Sequence, residues 1–333
     1  MAPLPKTMKA VEIDETGGVE VLKYRDVPVP EPKAGQLLVK NDVAGINYID
    51  TYFRSGLYKP PTFPYRLGRE SAGTVIALGP SSADANYYGI KEGDHVICLS
   101  EATYAQYSAV PAVKTLKIPS GVSSETACAA FLQGLTALTM IRESYAVQKG
   151  DWILVHAAAG GTGQWLVRLL HATGAKTIAT ASTDEKLALA KKLGADVLVN
   201  YSNEDVKAKV MEATGGKGVA AVFDGVGKTT FDLSLDCLAR KGTLASFGNA
   251  SGAVPPFAIA RLSGKNIKLL RPTLFQYIDT REELEHYVNE MFGLIKEHNW
   301  EVPVHKVYPL SEAGTAQEDL TGRKTTGKLL LKP

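Results

Sequence analysis

The sequence predicts an α/β chain of two domains, one β-rich and the other a parallel sheet with helices on both faces. Three observations carry this. The chain has 333 residues, more than one ordinary core fills. Its first third is a series of short alternating runs broken by Gly and Pro, the mark of strands and turns. From about Asp151, strand and helix patterns alternate, and repeated βα units build a parallel sheet.

The segments "MKAVEI", "QLLVKNDVAGI", "SAGTVIAL" and "DHVICL" read as strands, and "PSSADANYYG" as a surface loop. Near Ser123 the pattern changes. "SSETACAAFLQGLTALTMIRESY" has helical apolar spacing, and Ser123 or Ser124 can cap its start. Then "DWILVHA" is a strand and "GTGQWLVRLLHATG" a helix closed by a glycine. "AKTIATAS", "DVLVN", "GVAAVFDGVG" and "TLASFGN" are further strands. Between them, "TDEKLALAKKLG", "EDVKAKVMEATGG" and "TTFDLSLDCLARKG" are helices. The strands are short and apolar, as in a sheet buried on both faces. After about Leu270 the alternation weakens. "TREELEHYVNEMFGLIKEHNW" is an amphipathic helix, and "HKVYPL" and "GKLLLKP" are strands expected to return to the first domain. The expected division is 1–130 with 271–333, and 131–270.

Hydrophobic residues make up 45% and charged residues 22%, as in a soluble globular protein, and the formal net charge is +2. That charge implies no strong pull toward nucleic acid or a membrane surface. Cys98, Cys128 and Cys237 are far apart with no CxxC pair, which argues against a disulfide framework or a four-cysteine zinc site. "MAPLPKTMKAVEI" has no apolar core of a signal peptide, and no uncharged apolar run is long enough to span a bilayer. A cytoplasmic location is the expectation.

"HAAAGGTGQW" follows a strand and opens a helix. It reads as a variant of the GxGxxG dinucleotide fingerprint in which alanine replaces the first glycine. Ala159, Gly160, Gly161, Thr162 and Gly163 would approach a pyrophosphate, with the positive end of the helix behind them. A plain strand-to-helix turn is the alternative. In NAD-binding folds an acidic residue at the tip of the second strand takes the ribose hydroxyls. Here that tip is Ser182, with Lys186 one turn later and Tyr201 after the next strand. A serine and a lysine suit a 2′-phosphate, so the expected cofactor is NADPH. The alternative readings are a solvated helix lysine for Lys186 and a loop aromatic for Tyr201. Asp184 is the main objection to a phosphate, unless it turns toward the amides of its own helix.

Together these residues resemble the medium-chain dehydrogenase/reductase superfamily, and within it the zeta-crystallin type of NADPH:quinone oxidoreductase. The markers are "AGINYIDTYFRSGLY", "LGRESAG", "GDHV", "FLQGLTA", "HAAAGGTG", "SFGNASGAV" and "RPTLFQY", and they span nearly the whole chain. The resemblance implies a GroES-like substrate domain and a Rossmann-type doubly wound sheet. Zinc-dependent relatives hold a catalytic metal at three positions that are Asn47, Arg69 and Leu132 here. None is a zinc ligand, so no metal is expected, and His95 and His156 are better read as structural. Alcohol oxidation needs a Lewis acid to hold the alkoxide. A quinone accepts hydride readily because its product is aromatic, and needs only a positioned donor and hydrogen bonds to its oxygen.

The resemblance places Asn47 and Tyr52 beside the nicotinamide and substrate as hydrogen-bond donors. Arg54 would favour negative charge at the mouth, Tyr58 and Asp50 would bind the substrate, Tyr58 by stacking on a flat ring, and Asp50 would also orient the others. The same "NYIDTYFRSGLY" segment can be read as a polar loop with aromatics filling gaps. Thr136 would face the nicotinamide. Thr273, Leu274 and Phe275 would meet its carboxamide, and Val226, Phe247, Gly248 and Asn249 would line the cofactor at the C-terminal edge of the sheet. Arg323 would close over the phosphates.

A quinone reductase is therefore the leading expectation, with an NADPH-dependent alkenal or enone reductase as the alternative. The resemblance also implies a homodimer, joined at a sheet edge near "TLASFGN"; binding to AU-rich RNA is a second class, since some proteins of the zeta-crystallin type bind it. For RNA the sequence offers only Lys191–Lys192 and the "GRKTTGK" run, without an RNA-binding module. Accumulation as a lens-type structural protein is a third class.

Overall fold

The computed structural model describes residues 4–83 and 85–333. Residues 1–3, the start of the segment read as lacking a leader, lie outside the described residues, as does Asp84 in the loop expected over 80–89. The backbone divides into unit 1, Met1–Leu132 with Thr280–Pro333, and unit 2, Gln133–Asp279. In chain order, unit 1 carries β1 (Thr7–Ile13), β2 (Lys23–Pro28), β3 (Gln36–Ile46), α1 (Tyr48–Ser55), β4 (Tyr65–Arg66), β5 (Glu70–Leu78), β6 (His95–Leu99), β7 (Tyr107–Pro111) and β8 (Thr115–Lys117). The division falls inside α2 (Ser124–Thr139). Unit 2 continues with β9 (Trp152–Val155), α3 (Gly161–Thr173), β10 (Lys176–Ala181), α4 (Asp184–Lys192), β11 (Val197–Asn200), α5 (Val206–Ala213) and β12 (Val219–Asp224). After these come α6 (Phe231–Cys237), β13 (Leu238–Ser246), β14 (Lys268–Leu270) and α7 (Leu274–Tyr277). The chain then re-enters unit 1 with α8 (Arg281–Glu297), β15 (Val304–Pro309), α9 (Ala313–Thr321) and β16 (Lys328–Lys332).

Unit 1 holds two sheets. One is β2-β1-β4; the other runs β15-β16-β3-β5-β6-β8, with β7 also on β3. The C-terminal strands do return to this unit: β16 lies antiparallel to β3, with Leu329 opposite Ile46 and Leu331 opposite Ala44. Val11, Ile13, Ile46, Tyr104, Tyr308 and Leu331 share one core beneath them. The segment readable as a polar loop contains α1. Its buried residues are Asp50, Thr51, Tyr52 and Arg54; Tyr48, Ile49, Tyr52 and Phe53 recur four apart, but over eight residues that period is too short to tell a helix from a loop. Asn47 has the extended backbone of an N-cap and Gly56 closes the helix in the left-handed region at φ 83°.

The sheet of unit 2 runs β11-β10-β9-β12-β13-β14, all parallel. Counted from β9 this is 3-2-1-4-5-6, the doubly wound order whose ligand crevice lies outside the strand C-termini where the order reverses. Leu154, Ile178, Val199, Val222 and Leu244 form its core.

Three expectations change. The helix expected through Gly242 ends at Cys237, because Leu238 turns extended and pairs with Val219, and a register shift follows before Ala221 meets Thr243. β13 is not an edge: β14 covers it, and the "TLASFGN" strand cannot serve as a joint. The return to unit 1 comes at Thr280 rather than 271. Arg271 Nη1 donates to the carbonyls of Ser246 and Gly248, and Tyr277 meets Ser144, which keeps that stretch in unit 2. Arg281 is the first side chain to reach back, donating to the carbonyls of Ala112 and Thr115.

Candidate active site

β9 ends at Val155, and the chain turns through Ala157 at φ 51° into α3. The first α3 bond is Gln164 N to Gly160 O at 2.9 Å, so the amides of Gly161, Thr162 and Gly163 precede the helical ladder. Gly160 is the N-cap and brings no capping side chain. A Cβ on Gly163 would lie 2.3 Å from Ala157 O and 2.8 Å from Ala158 Cα; one on Gly161 would lie 2.1 Å from the Gln133 side chain. At Gly163 the neighbours are backbone, so only glycine permits the approach; at Gly161 the neighbour is the end of the Gln133 side chain. The result is a backbone cradle at a helix N-terminus, which suits a pyrophosphate in charge and shape. His156 is buried beside it between Thr180 and Ser234 at 3.1 Å each, and burial holds its imidazole below the ordinary value. It is a structural histidine.

β10 and β11 end side by side, with Ala181 opposite Asn200. Ser182 follows β10, Tyr201 follows β11 and is 43% exposed, and Lys186 lies in the first turns of α4. Thr183 caps α4 by accepting from Lys186 N. Asp184 does not turn to its own helix amides as expected. Its Oδ1 accepts from Asn200 Nδ2 at 2.8 Å.

After β12, Asp224 accepts from the amides of Val226 and Gly227 and from the hydroxyls of Thr230 and Ser234. This fixes the turn that carries Val226. A Cβ on Gly225 would meet the Phe247 ring at 2.9 Å, and one on Gly248 would meet Gly225 O at 2.3 Å. The two strand ends are thereby pressed together, with Phe247, Gly248 and Asn249 beyond β13. Thr273 stands at the N-cap position of α7 without a side-chain capping bond, and the first helical residues are Leu274 and Phe275. Thr136 lies on α2 three residues past Gln133.

In unit 1, Asn47 is buried at the end of β3. Its Nδ2 donates to Glu70 Oε1 at 2.9 Å and approaches Gly45 O at 3.4 Å; its Oδ1 accepts from Lys328 Nζ at 2.8 Å. Lys328 and Glu70 are 1% and 0% exposed and pair at 2.5 Å, and Glu70 Oε2 accepts from Leu132 N. A lysine can only donate and a carboxylate only accept, so the orientation of the Asn47 amide is determined. Tyr52 packs its ring edge to face with Tyr58, centroids 5.2 Å apart. Arg69 pairs with Glu101, donates to Tyr65 Oη and lies over the Phe53 ring.

Two assignments need correction. Arg54 is not at a mouth: it is 8% exposed and donates to Gln317 Oε1 at 2.7 Å and Gly17 O at 2.8 Å. Asp50 cannot meet a substrate at 1% exposure. Its oxygens accept from Asn47 N, Gly68 N and Tyr104 Oη, and burial pushes its carboxyl up to about 6 against the pull of those donors. Arg323 follows α9 in unit 1, exposed, at φ 58°. Glu70, Lys328 and Asn200 were not singled out: Lys328 meets Glu70 and Asn47 only across 258 and 281 residues, and the Asn200–Asp184 bond joins the end of one strand to the helix after its neighbour.

A zinc ion does not fit the residues at the three ligand positions. Asn47 is held by Lys328 and Glu70, Arg69 is a cation, Leu132 contributes only its amide, and the Glu70 carboxylate is already matched by the Lys328 ammonium. No helix among the described residues is long and apolar enough to cross a membrane.

Residues 33–120 match the family model described as alcohol dehydrogenase GroES-like domain, and residues 161–292 the one described as zinc-binding dehydrogenase. A probable quinone oxidoreductase of Schizosaccharomyces pombe is 43% identical, covering 96% of each chain. The crystal structure of Escherichia coli quinone oxidoreductase complexed with NADPH superposes with a TM-score of 0.93 at 40% identity, over 98% of this chain and 100% of that one. A 2-haloacrylate reductase from Burkholderia is 35% identical over 97% of this chain and 98% of its own.

Proposed function

Because this chain belongs to the quinone oxidoreductase branch of the medium-chain dehydrogenase/reductase family, we propose that it is an NADPH:quinone reductase that works without zinc. The observation that carries this is the glycine cradle at the C-terminal edge of a 3-2-1-4-5-6 sheet, where Gly163 leaves no room for a Cβ against Ala157 O. The match to a quinone oxidoreductase solved with NADPH supports it.

When bound, NADPH supplies the hydride. The amides of Gly161, Thr162 and Gly163 hold its pyrophosphate, and Ser182, Lys186 and Tyr201 its 2′-phosphate. Val226, Phe247, Gly248, Asn249, Thr273, Leu274, Phe275 and Thr136 line the nicotinamide end. Tyr52 is the donor we assign to the acceptor's carbonyl oxygen, in the role of stabilising charge as it develops. Asn47 is the second donor we assign, its Nδ2 giving up Gly45 O, the longer of its two hydrogen bonds at 3.4 Å, for the acceptor's oxygen. Asp50 and Lys328 hold these groups in place and touch no substrate. The three cysteines are free, which suits a reducing, cytoplasmic setting. A homodimer would join through the exposed edge of β14, since β13 is covered.

The 2-haloacrylate reductase relative favours one second reading: an activated alkene conjugated to a carbonyl makes the same demands as a quinone. NADPH oxidation with a panel of simple quinones and a panel of enals and enones decides between them. Faster turnover of quinones supports the first reading. Turnover of the alkenes alone replaces it with the second, and turnover of neither removes both.

A further inference from the structure

Asn200 ties three segments at the rim of the nucleotide cradle. Its Nδ2 donates to Asp184 Oδ1 at 2.8 Å, and its Oδ1 accepts from Ser202 N at 3.1 Å. Ser202 Oγ in turn donates to the carbonyl of Ser182 at 3.0 Å. Asn200 is 7% exposed, and its backbone is held by the β10 ladder and by Glu204. Asp184 is the one carboxylate within two residues of Ser182, and it is exposed. In this position a free carboxylate would do two things: repel a 2′-phosphate and accept from a 2′-hydroxyl. Both favour NADH.

We propose that Asn200 is a specificity-determining residue, holding the Asp184 carboxylate on the β11 side so that the rim of Ser182, Lys186 and Tyr201 presents itself to a phosphate rather than a ribose hydroxyl. This role rests on the phosphate site proposed above. A charge-assisted hydrogen bond from a buried, fixed amide restricts Asp184 to one direction, and Asn200 cannot swing away without losing Ser202 as well.

The test is a double-mutant cycle read as KM for NADPH and for NADH. Asn200→Ala should raise KM for NADPH by about three- to tenfold, the modest size expected of an exposed, solvent-screened charge, and leave KM for NADH unchanged or lower. Asp184→Asn keeps an oxygen for Asn200 but no charge, and should leave NADPH use near that of the parent protein. Asn200→Ala with Asp184→Asn should return the NADPH KM to within about twofold of the parent. If Asn200→Ala impairs both cofactors alike, or if the double variant is as poor with NADPH as Asn200→Ala alone, Asn200 is only a scaffold and the proposal falls. Lys186→Ala, run alongside, reports separately on the phosphate site: no selective loss of NADPH there would overturn that site, whereas a selective loss without the Asn200 effect would overturn only the role of Asn200.

Discussion

Lys328 Nζ donates to Asn47 Oδ1 at 2.8 Å although 281 residues separate them. The register of β16 on β3, Leu329 opposite Ile46, brings the lysine to the end of β3. There it meets Glu70, and two buried charges share one amide. The arrangement pins the side chain that opens α1, the helix carrying Tyr52.

Lys328→Met should lower the stability of the protein by about 3–5 kcal/mol, because Glu70 is then left charged and unpaired in the interior. Lys328→Met with Glu70→Gln should lose clearly less. Denaturant unfolding of the three proteins checks this; equal losses for the single and the double variant would mean the ion pair is not what holds this corner.

Asp50 makes stability depend on pH in a known direction. Burial raises its carboxyl from the usual 3.8 to about 6 in the folded protein, so the folded state holds a proton that the unfolded chain releases. Its contribution is fully present below about pH 4 and is lost as pH rises through about 6, a swing on the order of 3 kcal/mol. Asp50→Asn should remove that swing. The measurement is unfolding free energy at pH 4 and pH 7 for both proteins; an identical pH slope in the variant would contradict it.

Lys186→Ala should raise the Michaelis constant for NADPH by about ten- to a hundredfold, since a hydrogen bond to a charged group contributes roughly 1.5–3 kcal/mol. The constant for NADH should barely move. Steady-state kinetics with both cofactors tests this, and a parent protein that uses the two equally well would already misplace the phosphate site.

Tyr52→Phe should lower kcat more than it raises KM for NADPH, if the phenol stabilises charge only as hydride moves. The ring itself packs on Tyr58, so the isosteric change leaves α1 folded, which circular dichroism would confirm. Undiminished turnover with several quinones would remove Tyr52 from the chemistry.

Arg54 and Asp50 show where sequence reasoning overreached. Both lie in a segment rich in groups that donate and accept, and both are consumed by the protein itself: Arg54 by Gln317 and Gly17, Asp50 by Tyr104 and two backbone amides. Which of these groups are used internally depends largely on partners distant in sequence, up to 263 residues away, with only the Asn47 amide close by. α1 was hard to read for a different reason: Tyr48, Ile49, Tyr52 and Phe53 do recur four apart, but the helix is only eight residues long, too short for the period to separate it from a loop.

The βα alternation, the glycine loop and the absence of an acid at the tip of β10 were determined by the sequence alone, because each is a local pattern. Helix period, strand period and the need for glycine where backbones touch are set within a few residues. The tertiary structure alone decided that Lys328 and Glu70 meet at Asn47, that Asn200 turns Asp184 aside, and that β14 rather than β13 ends the sheet. These depend on strand register and on which segments the fold brings together. A buried charge or amide settles on whatever partner that packing supplies, because leaving it unpaired costs more than any local preference gains.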